Sequence, residues 1–173
     1  MSVEDLRSKI REIPDFPKPG ILFYDITTLL KDAAAFRESI ELMMEPFKSE
    51  KIDIVVGMES RGFIFSAPMA YELGAGLVPV RKLGKLPAET LSVEYALEYG
   101  SNTLEIHRDS IEPGQRVLIV DDLLATGGTV QGTIELVERL KGEVAGLAFL
   151  VELDFLHGRE RLTGHRVTSV IRY

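Results

Sequence analysis

Apolar residues in this chain follow two periods, and the changes between them divide the sequence. The run Val117-Leu118-Ile119-Val120 is uninterrupted and mostly β-branched, which predicts a strand buried on both faces, as in a parallel sheet. Asp121 and Asp122 stand where that strand is expected to end. A Gly/Thr loop follows, and Val130, Ile134, Val137 and Leu140 then repeat at helical spacing over 130–141. The same strand–turn–helix order occurs earlier: a strand over 52–56, a turn over 57–62, and an apolar helix over 63–73. Further strands are predicted at 77–80, 144–153 and 167–173. From 92 to 109 the period falls to two, with Val93, Tyr95, Leu97 and Tyr99 alternating before a Gly100-Ser101-Asn102 turn and a return over 104–108. This predicts an antiparallel hairpin lying outside the parallel core.

The first third is less regular. Ser2 followed by Glu4 and Asp5 predicts a capped helix reaching about Glu12. Pro14, Pro17, Pro19 and Gly20 then argue against regular structure, leaving 21–27 as an apolar, aromatic strap. Phe36, Ile40, Met43 and Phe47 predict a surface helix over 32–48. The fold class is therefore α/β, with a mainly parallel central sheet flanked by helices, in a single domain over 1–173.

Composition narrows the function. At 173 residues, 45% hydrophobic and 27% charged, the chain is an ordinary globular length and mixture. A formal charge of -7 argues against a nucleic-acid footprint, and no apolar run is long enough for a signal peptide or a membrane span. The absence of cysteine excludes disulfides and thiol nucleophiles and suits a reducing compartment; the expectation is a cytoplasmic protein. His107, His157 and His165 lack zinc spacing, and no Gly-x-Ser-x-Gly elbow supports triad chemistry.

The candidate chemistry lies in the turns. Two ionised carboxylates accept hydrogen bonds only, which suits the vicinal hydroxyls of a ribose or a magnesium ion. Thr126-Gly127-Gly128-Thr129 offers backbone N–H groups and two hydroxyls at a helix start, a cradle for a phosphate monoester. It is neither a Walker A loop nor Gly-x-Gly-x-x-Gly. Diol acceptors and a phosphate cradle so close together describe a ribose 5-phosphate site. Arg61, between a strand and a helix, and the cluster Arg81, Lys82, Lys85 in an otherwise acidic chain both suit a further anion. Paired aspartates after a strand also occur in phosphorylation domains of the response-regulator type, but the further Asp and late Lys those need are not evident here.

Residues 117–129 resemble the phosphoribosyl-diphosphate (PRPP) motif of the type I phosphoribosyltransferases. The resemblance extends along the chain and is strongest to the adenine-specific branch, through Phe16-Pro17-Lys18-Pro19-Gly20-Ile21-Leu22-Phe23, Glu59-Ser60-Arg61-Gly62-Phe63, Arg81-Lys82-Leu83-Gly84-Lys85-Leu86-Pro87 and Leu97-Glu98-Tyr99-Gly100. It implies the type I fold, with a base-binding hood segment over 1–30, and a flexible loop and lid hairpin over 81–109. Asp121 and Asp122 would bind the ribose hydroxyls, and Ala125, Thr126, Gly127, Gly128 and Thr129 the 5-phosphate. Glu59, Ser60 and Arg61, in a turn that often holds a non-proline cis peptide, would meet pyrophosphate together with Arg81, Lys82 and Lys85. Leu22, Phe23, Tyr24 and Leu123 would bound adenine. Many relatives carry Arg at the position of Tyr24, so a charged contact there is replaced, while recognition of the adenine edge through backbone survives.

The implied reaction joins adenine to PRPP, giving AMP and pyrophosphate, with Glu98, Tyr99 and Arg61 as catalytic residues. Magnesium would arrive with PRPP, meeting Asp121 or Asp122 through water rather than a dedicated set of protein ligands. A homodimer is implied, with Arg81 reaching the partner's site, and neither nucleic acid nor membrane is a partner. Two alternatives stay open: specificity for hypoxanthine, guanine or xanthine, and a non-catalytic PRPP-sensing regulator, which wants a basic face. If Glu98 moves a proton or steadies a cationic sugar, Glu98→Gln lowers turnover far more than it weakens PRPP binding, as steady-state kinetics will show. Wild-type turnover in that variant removes Glu98 from the mechanism.

Overall fold

The computed structural model describes residues 1–96 and 100–173. The chain divides into two compact units, Met1–Leu42 and Met43–Tyr173. In the first, α1 (Val3–Ser8) starts at a complete capping box: Ser2 Oγ accepts from the Asp5 N–H, and the Asp5 carboxylate accepts from the Ser2 N–H at 2.8 Å. The helix ends four residues before the predicted Glu12, because the chain turns into β1 (Arg11–Pro14), which pairs antiparallel with β2 (Leu22–Asp25). The prolines therefore do not forbid a ladder here. Pro14 takes the last position of a two-stranded ribbon, where a missing N–H is tolerated. Arg11 closes the ribbon by donating to Asp25 at 2.5 Å, and two short helical pieces follow, α2 (Thr27–Leu30) and α3 (Ala33–Met44). The helix predicted to Lys48 changes to a 3-10 turn over Glu45–Phe47, where Pro46 cannot donate to it.

The second unit is built on one seven-stranded sheet. Its strands are β3 (Ile54–Met58), β4 (Gly76–Lys82), β5 (Thr90–Ala96), β6 (Ser101–His107), β7 (Arg116–Leu124), β8 (Glu143–Glu152) and β9 (Val167–Arg172), in the order β5-β6-β4-β3-β7-β8-β9. Pairings among β4, β3, β7, β8 and β9 are parallel. The chain leaves β3 through α4 (Gly62–Leu73) towards β4, and leaves β7 through α5 (Gly128–Arg139) towards β8. Right-handed crossovers running in opposite directions put the two helices on opposite faces. Residue burial follows that division with period two. Val117 and Ile119 share the core cluster of Val130, Ile134 and Val137 from α5, while Leu118 and Val120, equally buried, fall outside it. β3 and β7 are thus adjacent strands whose helices depart in opposite senses, the arrangement that opens a crevice at their carboxyl ends.

Two predicted features change. The central strand runs to Leu124, so both aspartates lie within it. The hairpin joins the sheet, with Arg81 opposite Glu105 and Lys82 opposite Leu104, and Leu91, Val93, Leu104 and Ile106 enter the core. Arg81 and Lys82 accordingly end a strand rather than float in a loop. Leu97 and Tyr99, predicted as strand, lie outside the described residues, and Ser101 already pairs with Ala96.

Packing is tight where β8 crosses the Phe47 ring: a Cβ at Gly146 would lie 2.4 Å from Phe47 Cε1. That ring is fully buried and carries the Arg166 guanidinium 4.8 Å from its centroid. Gly146→Ala therefore costs about 1–3 kcal/mol, as overpacking does, measured by urea unfolding. An unchanged midpoint would show that the ring can move aside.

Candidate active site

The crevice takes its charged groups from the two adjacent strands. β3 pairs with β7 only as far as Gly57 opposite Val120, so Asp121 and Asp122 stand just beyond the last pairing on that side. On the other side β7 continues against β8, Asp121 opposite Phe149 and Leu124 opposite Glu152, which keeps the carboxylates on a rigid strand. Past β3 the chain turns through Glu59, Ser60 and Arg61, with a cis peptide between Glu59 and Ser60 as the resemblance implies, and enters α4. Gly62, the first residue of α4, lies against the end of β7: a Cβ there would meet Asp121 Oδ1 at 2.8 Å and the Val120 carbonyl at 3.1 Å. Only glycine allows that approach.

Charge is balanced pairwise. Arg61 Nε donates to Asp122 Oδ2 at 2.6 Å, and the Asp122 side chain is only 7% exposed, so the guanidinium compensates a nearly buried carboxylate. Asp121 Oδ1 accepts from the Asp122 N–H at 2.9 Å. Burial, and next the Asp122 charge beside it, push the Asp121 carboxyl well above the usual carboxylate range. Glu59 shows the opposite. Its carboxylate accepts the Lys82 N–H at 2.9 Å and Arg81 Nη2 at 3.3 Å, the first contact holding it below the usual range more than the second.

Beyond β7 the loop turns at Gly127, whose φ of +86° is left-handed, and α5 starts at Gly128. Gly127 also lies against a second loop, since its Cβ would be 2.7 Å from the Gly158 carbonyl oxygen. A cavity of about 350 Å³ is lined by Glu59, Ser60, Arg61, Lys82, Asp121, Asp122, Leu123, Ala125 and Thr129. The structure therefore brings together nine of the residues singled out from sequence, from segments about 60 residues apart. Thr126, Gly127 and Gly128 complete the loop without lining the cavity, and Arg81 and Lys85 stand outside its lining. Leu22, Phe23 and Tyr24 are on β2 of the first unit, Leu22 being exposed. Glu98 and Tyr99 lie outside the described residues.

Sequence reasoning quoted Gly62 within a motif without giving it a role, and passed over Gly158 and Glu105. Glu105, 7% exposed, accepts from the Gly84 N–H at 3.0 Å and from Thr90 Oγ1 at 3.2 Å, tying the basic Lys82–Lys85 turn to the hairpin. In sequence it is one more glutamate on an alternating strand, so no signal marks it. Of the histidines, His107 Nε2 accepts the Ala88 N–H at 3.3 Å and His157 lies 3.3 Å from Glu160. Among the described residues no group of three or more His, Cys, Asp or Glu side chains is placed to hold a metal directly.

The raised Asp121 carboxyl has a consequence for stability. A carboxyl whose folded-state pKa lies above its unfolded value binds more protons when folded, so stability falls as pH rises between the two values. Asp121→Asn removes that penalty. At neutral pH the variant is more stable than wild type by on the order of 1 kcal/mol, and the gain fades on acidification and vanishes by about pH 2, below the unfolded carboxyl's pKa of about 3.9. Thermal unfolding at the two pH values tests this, and equal melting temperatures at neutral pH contradict it.

A phosphoribosyl transferase domain model matches residues 25–169. The chain is 60% identical, over its whole length and 96% of the relative's, to an adenine phosphoribosyltransferase of Acidobacterium capsulatum. Among solved structures it superposes on adenine phosphoribosyltransferase from Thermoanaerobacter pseudethanolicus with a TM-score of 0.96 at 56% identity, covering 99% of this chain and 100% of that one. It also superposes on the Saccharomyces cerevisiae enzyme, solved with adenine and an imino-altritol bisphosphate, with a TM-score of 0.91 at 41% identity and 97% of each chain covered. No helix among the described residues is long and apolar enough to cross a membrane. The mainly parallel sheet flanked by helices, the crevice at its strand ends and this full-length likeness lead to one conclusion: the chain belongs to the phosphoribosyl transferase family, within its adenine phosphoribosyltransferases.

Proposed function

We propose that this protein transfers the phosphoribosyl group of PRPP to adenine, giving AMP and pyrophosphate. The observation that carries this is a cavity whose lining joins the Arg61-compensated Asp121–Asp122 pair to Ala125 and Thr129 of the following loop. The relatives' shared name and the adenine bound in the yeast structure support the choice of base. On this reading Asp121 and Asp122 accept the ribose hydroxyls, and Ala125, Thr126, Gly127, Gly128 and Thr129 receive the 5-phosphate at the start of α5. Ser60, Arg61, Lys82 and Lys85 meet the pyrophosphate, with Glu59 holding the Lys82 backbone in place. Leu123 bounds the base; the parallel role of Leu22, Phe23 and Tyr24 rests on resemblance alone.

N9 of adenine attacks the anomeric carbon, the bond to pyrophosphate breaks, and the N9 proton is lost, so positive charge builds on the sugar while negative charge builds on the leaving oxygen. Arg61 and Lys82 are preorganised for the second charge. The rigid β7 carboxylates and the phosphate loop hold the ribose in line. Glu98 and Tyr99, which fall between β5 and β6 in the sequence, are assigned by resemblance to close over the reacting centre and to assist the proton or the cationic sugar. Tyr95 supports a lid at that place, because its ring lies 3.6 Å from the Cβ position of Gly128 and so roots β5 beside the phosphate loop.

The donor set fits magnesium held mainly by substrate. Two carboxylates, with no third His, Cys, Asp or Glu placed beside them among the described residues, suit an ion that keeps its waters and binds through phosphates. Asp121 or Asp122 would meet it through water, and when bound it would offset charge on the pyrophosphate. A homodimer belongs to the same proposal: Ile64 and Tyr71, seven apart on one face of α4, are 38% and 84% exposed. Arg81 is the residue assigned to reach the partner's site, and its Nε is buried without a hydrogen-bond partner among the described residues, while Nη2 rests on Glu59. A cytoplasmic setting agrees with a chain that contains no cysteine.

An assay with PRPP, magnesium and each purine in turn tests the reading. Adenine should yield AMP and pyrophosphate, with hypoxanthine and guanine slower by at least about a hundredfold, since a 6-oxo base leaves site hydrogen-bonding groups unpaired. Equal use of hypoxanthine overturns the specificity, and no pyrophosphate with any purine overturns the activity.

A further inference from the structure

The phosphate loop is shaped by a part of the chain that follows it by about thirty residues. After β8 the chain passes through a 3-10 turn, takes a left-handed conformation at His157 (φ +54°), and enters a second 3-10 turn over Gly158–Leu162. Gly158 is buried directly against the loop. A Cβ on it would fall 2.2 Å from the Ala125 carbonyl oxygen and 3.1 Å from the Thr126 carbonyl carbon, while a Cβ on Gly127 would fall 2.7 Å from the Gly158 oxygen. Two backbones thus meet with no side chain between them, and the loop cannot sink or tilt on that side without moving Gly158.

Gly158 in turn is fixed by its neighbour. Arg159 donates to Glu152 through both Nε (2.9 Å) and Nη2 (2.5 Å), to the Val167 carbonyl through Nη1 (2.9 Å), and to Ser169 Oγ (3.1 Å). The Glu152 side chain is only 4% exposed and also accepts from Ser169 Oγ at 2.5 Å. Glu152 is the last residue of β8 and pairs with Leu124, the last residue of β7 before the phosphate loop, and the Leu153 N–H donates to the Leu124 carbonyl at 3.0 Å. At the far end of the turn Leu162, 1% exposed, is held in the core cluster. The turn is pinned at both ends, and one pin is an ion pair whose carboxylate belongs to the strand adjoining the loop. A bidentate pair with a nearly buried partner is the kind that keeps its geometry.

We propose that the Gly158 turn is the floor of the phosphate loop and that Arg159 and Glu152 are positioning residues for the 5-phosphate end of the ligand, acting through Gly158 rather than by touching substrate. This rests on the phosphoribosyl-transfer reading. Loss of the Arg159–Glu152 pair lets the floor shift, so the loop's N–H groups no longer converge on the phosphate. Ligands that carry the 5-phosphate weaken, while pyrophosphate, which has no such group, is unaffected.

The test is steady-state kinetics in both directions on wild type, Arg159→Met and Arg159→Lys, each checked for a folded state by thermal unfolding. Arg159→Met should raise KM for PRPP and for AMP about tenfold, a fraction of what ångström-scale misplacement can cost, with kcat changed less than about threefold and KM for pyrophosphate unchanged. Arg159→Lys should recover part of the loss, since it keeps the charge with a single contact. A role in stability alone predicts a lower melting temperature with every KM unchanged, and that result overturns the proposal. If Arg159→Met does not fold, Gly158→Ala decides: it forces the loop off its floor directly and should raise both KM values at least tenfold, and unchanged values overturn the proposal. Wild-type protein that shows no saturation by PRPP or AMP defeats the transfer reading itself, an outcome distinct from a variant that behaves like wild type.

Discussion

The site depends on compensating a carboxylate pair at the end of a buried strand. β7 is apolar and covered on both faces, and such a strand does not tolerate two adjacent negative charges unless something answers them. Arg61 answers Asp122 at 2.6 Å from the neighbouring strand's turn, and Asp121 is left with a raised proton affinity. Everything else in the crevice follows from keeping those two strand ends side by side. The parallel register of β3 and β7 sets it, the opposite departures of α4 and α5 open it, and Gly62 allows the approach. The stability lost to Asp121 is of the kind that natural proteins carry where a charged group is held buried without a full set of partners.

Glycine sets the second constraint. Gly62, Gly127 and Gly158 each stand where backbone meets backbone or carboxylate at a distance that excludes a Cβ. They let the start of α4 lie against the end of β7, and the loop after β7 lie against the turn after β8. The cavity beside these contacts is lined by side chains, which supply its charge. Glu59 and Glu105 each accept a backbone N–H from the basic Lys82–Lys85 segment, and Glu59 also takes the Arg81 guanidinium at 3.3 Å.

The sequence by itself determined the strand–turn–helix units, the identity of the charged turns and the chemistry they suit. Uninterrupted β-branched runs, a helical repeat and a Gly/Thr loop are local signals, and local signals survive without tertiary context. It also carried the family resemblance, because Asp121-Asp122 and the loop after them are contiguous. Tertiary structure decided what depends on neighbours distant in the chain. The central strand extends through its aspartates because β8 continues beside them, and the hairpin joins the sheet because β4 offers it an edge. The ribbon of β1 and β2 forms through Pro14 because a proline at a strand end loses nothing the ladder needs. The pairing of Arg61 with Asp122 and the seating of Gly158 beneath Ala125 join residues about 60 and 30 positions apart. No periodicity or spacing encodes such pairs; only the packing of parallel strands, whose connections must leave and return, brings them together.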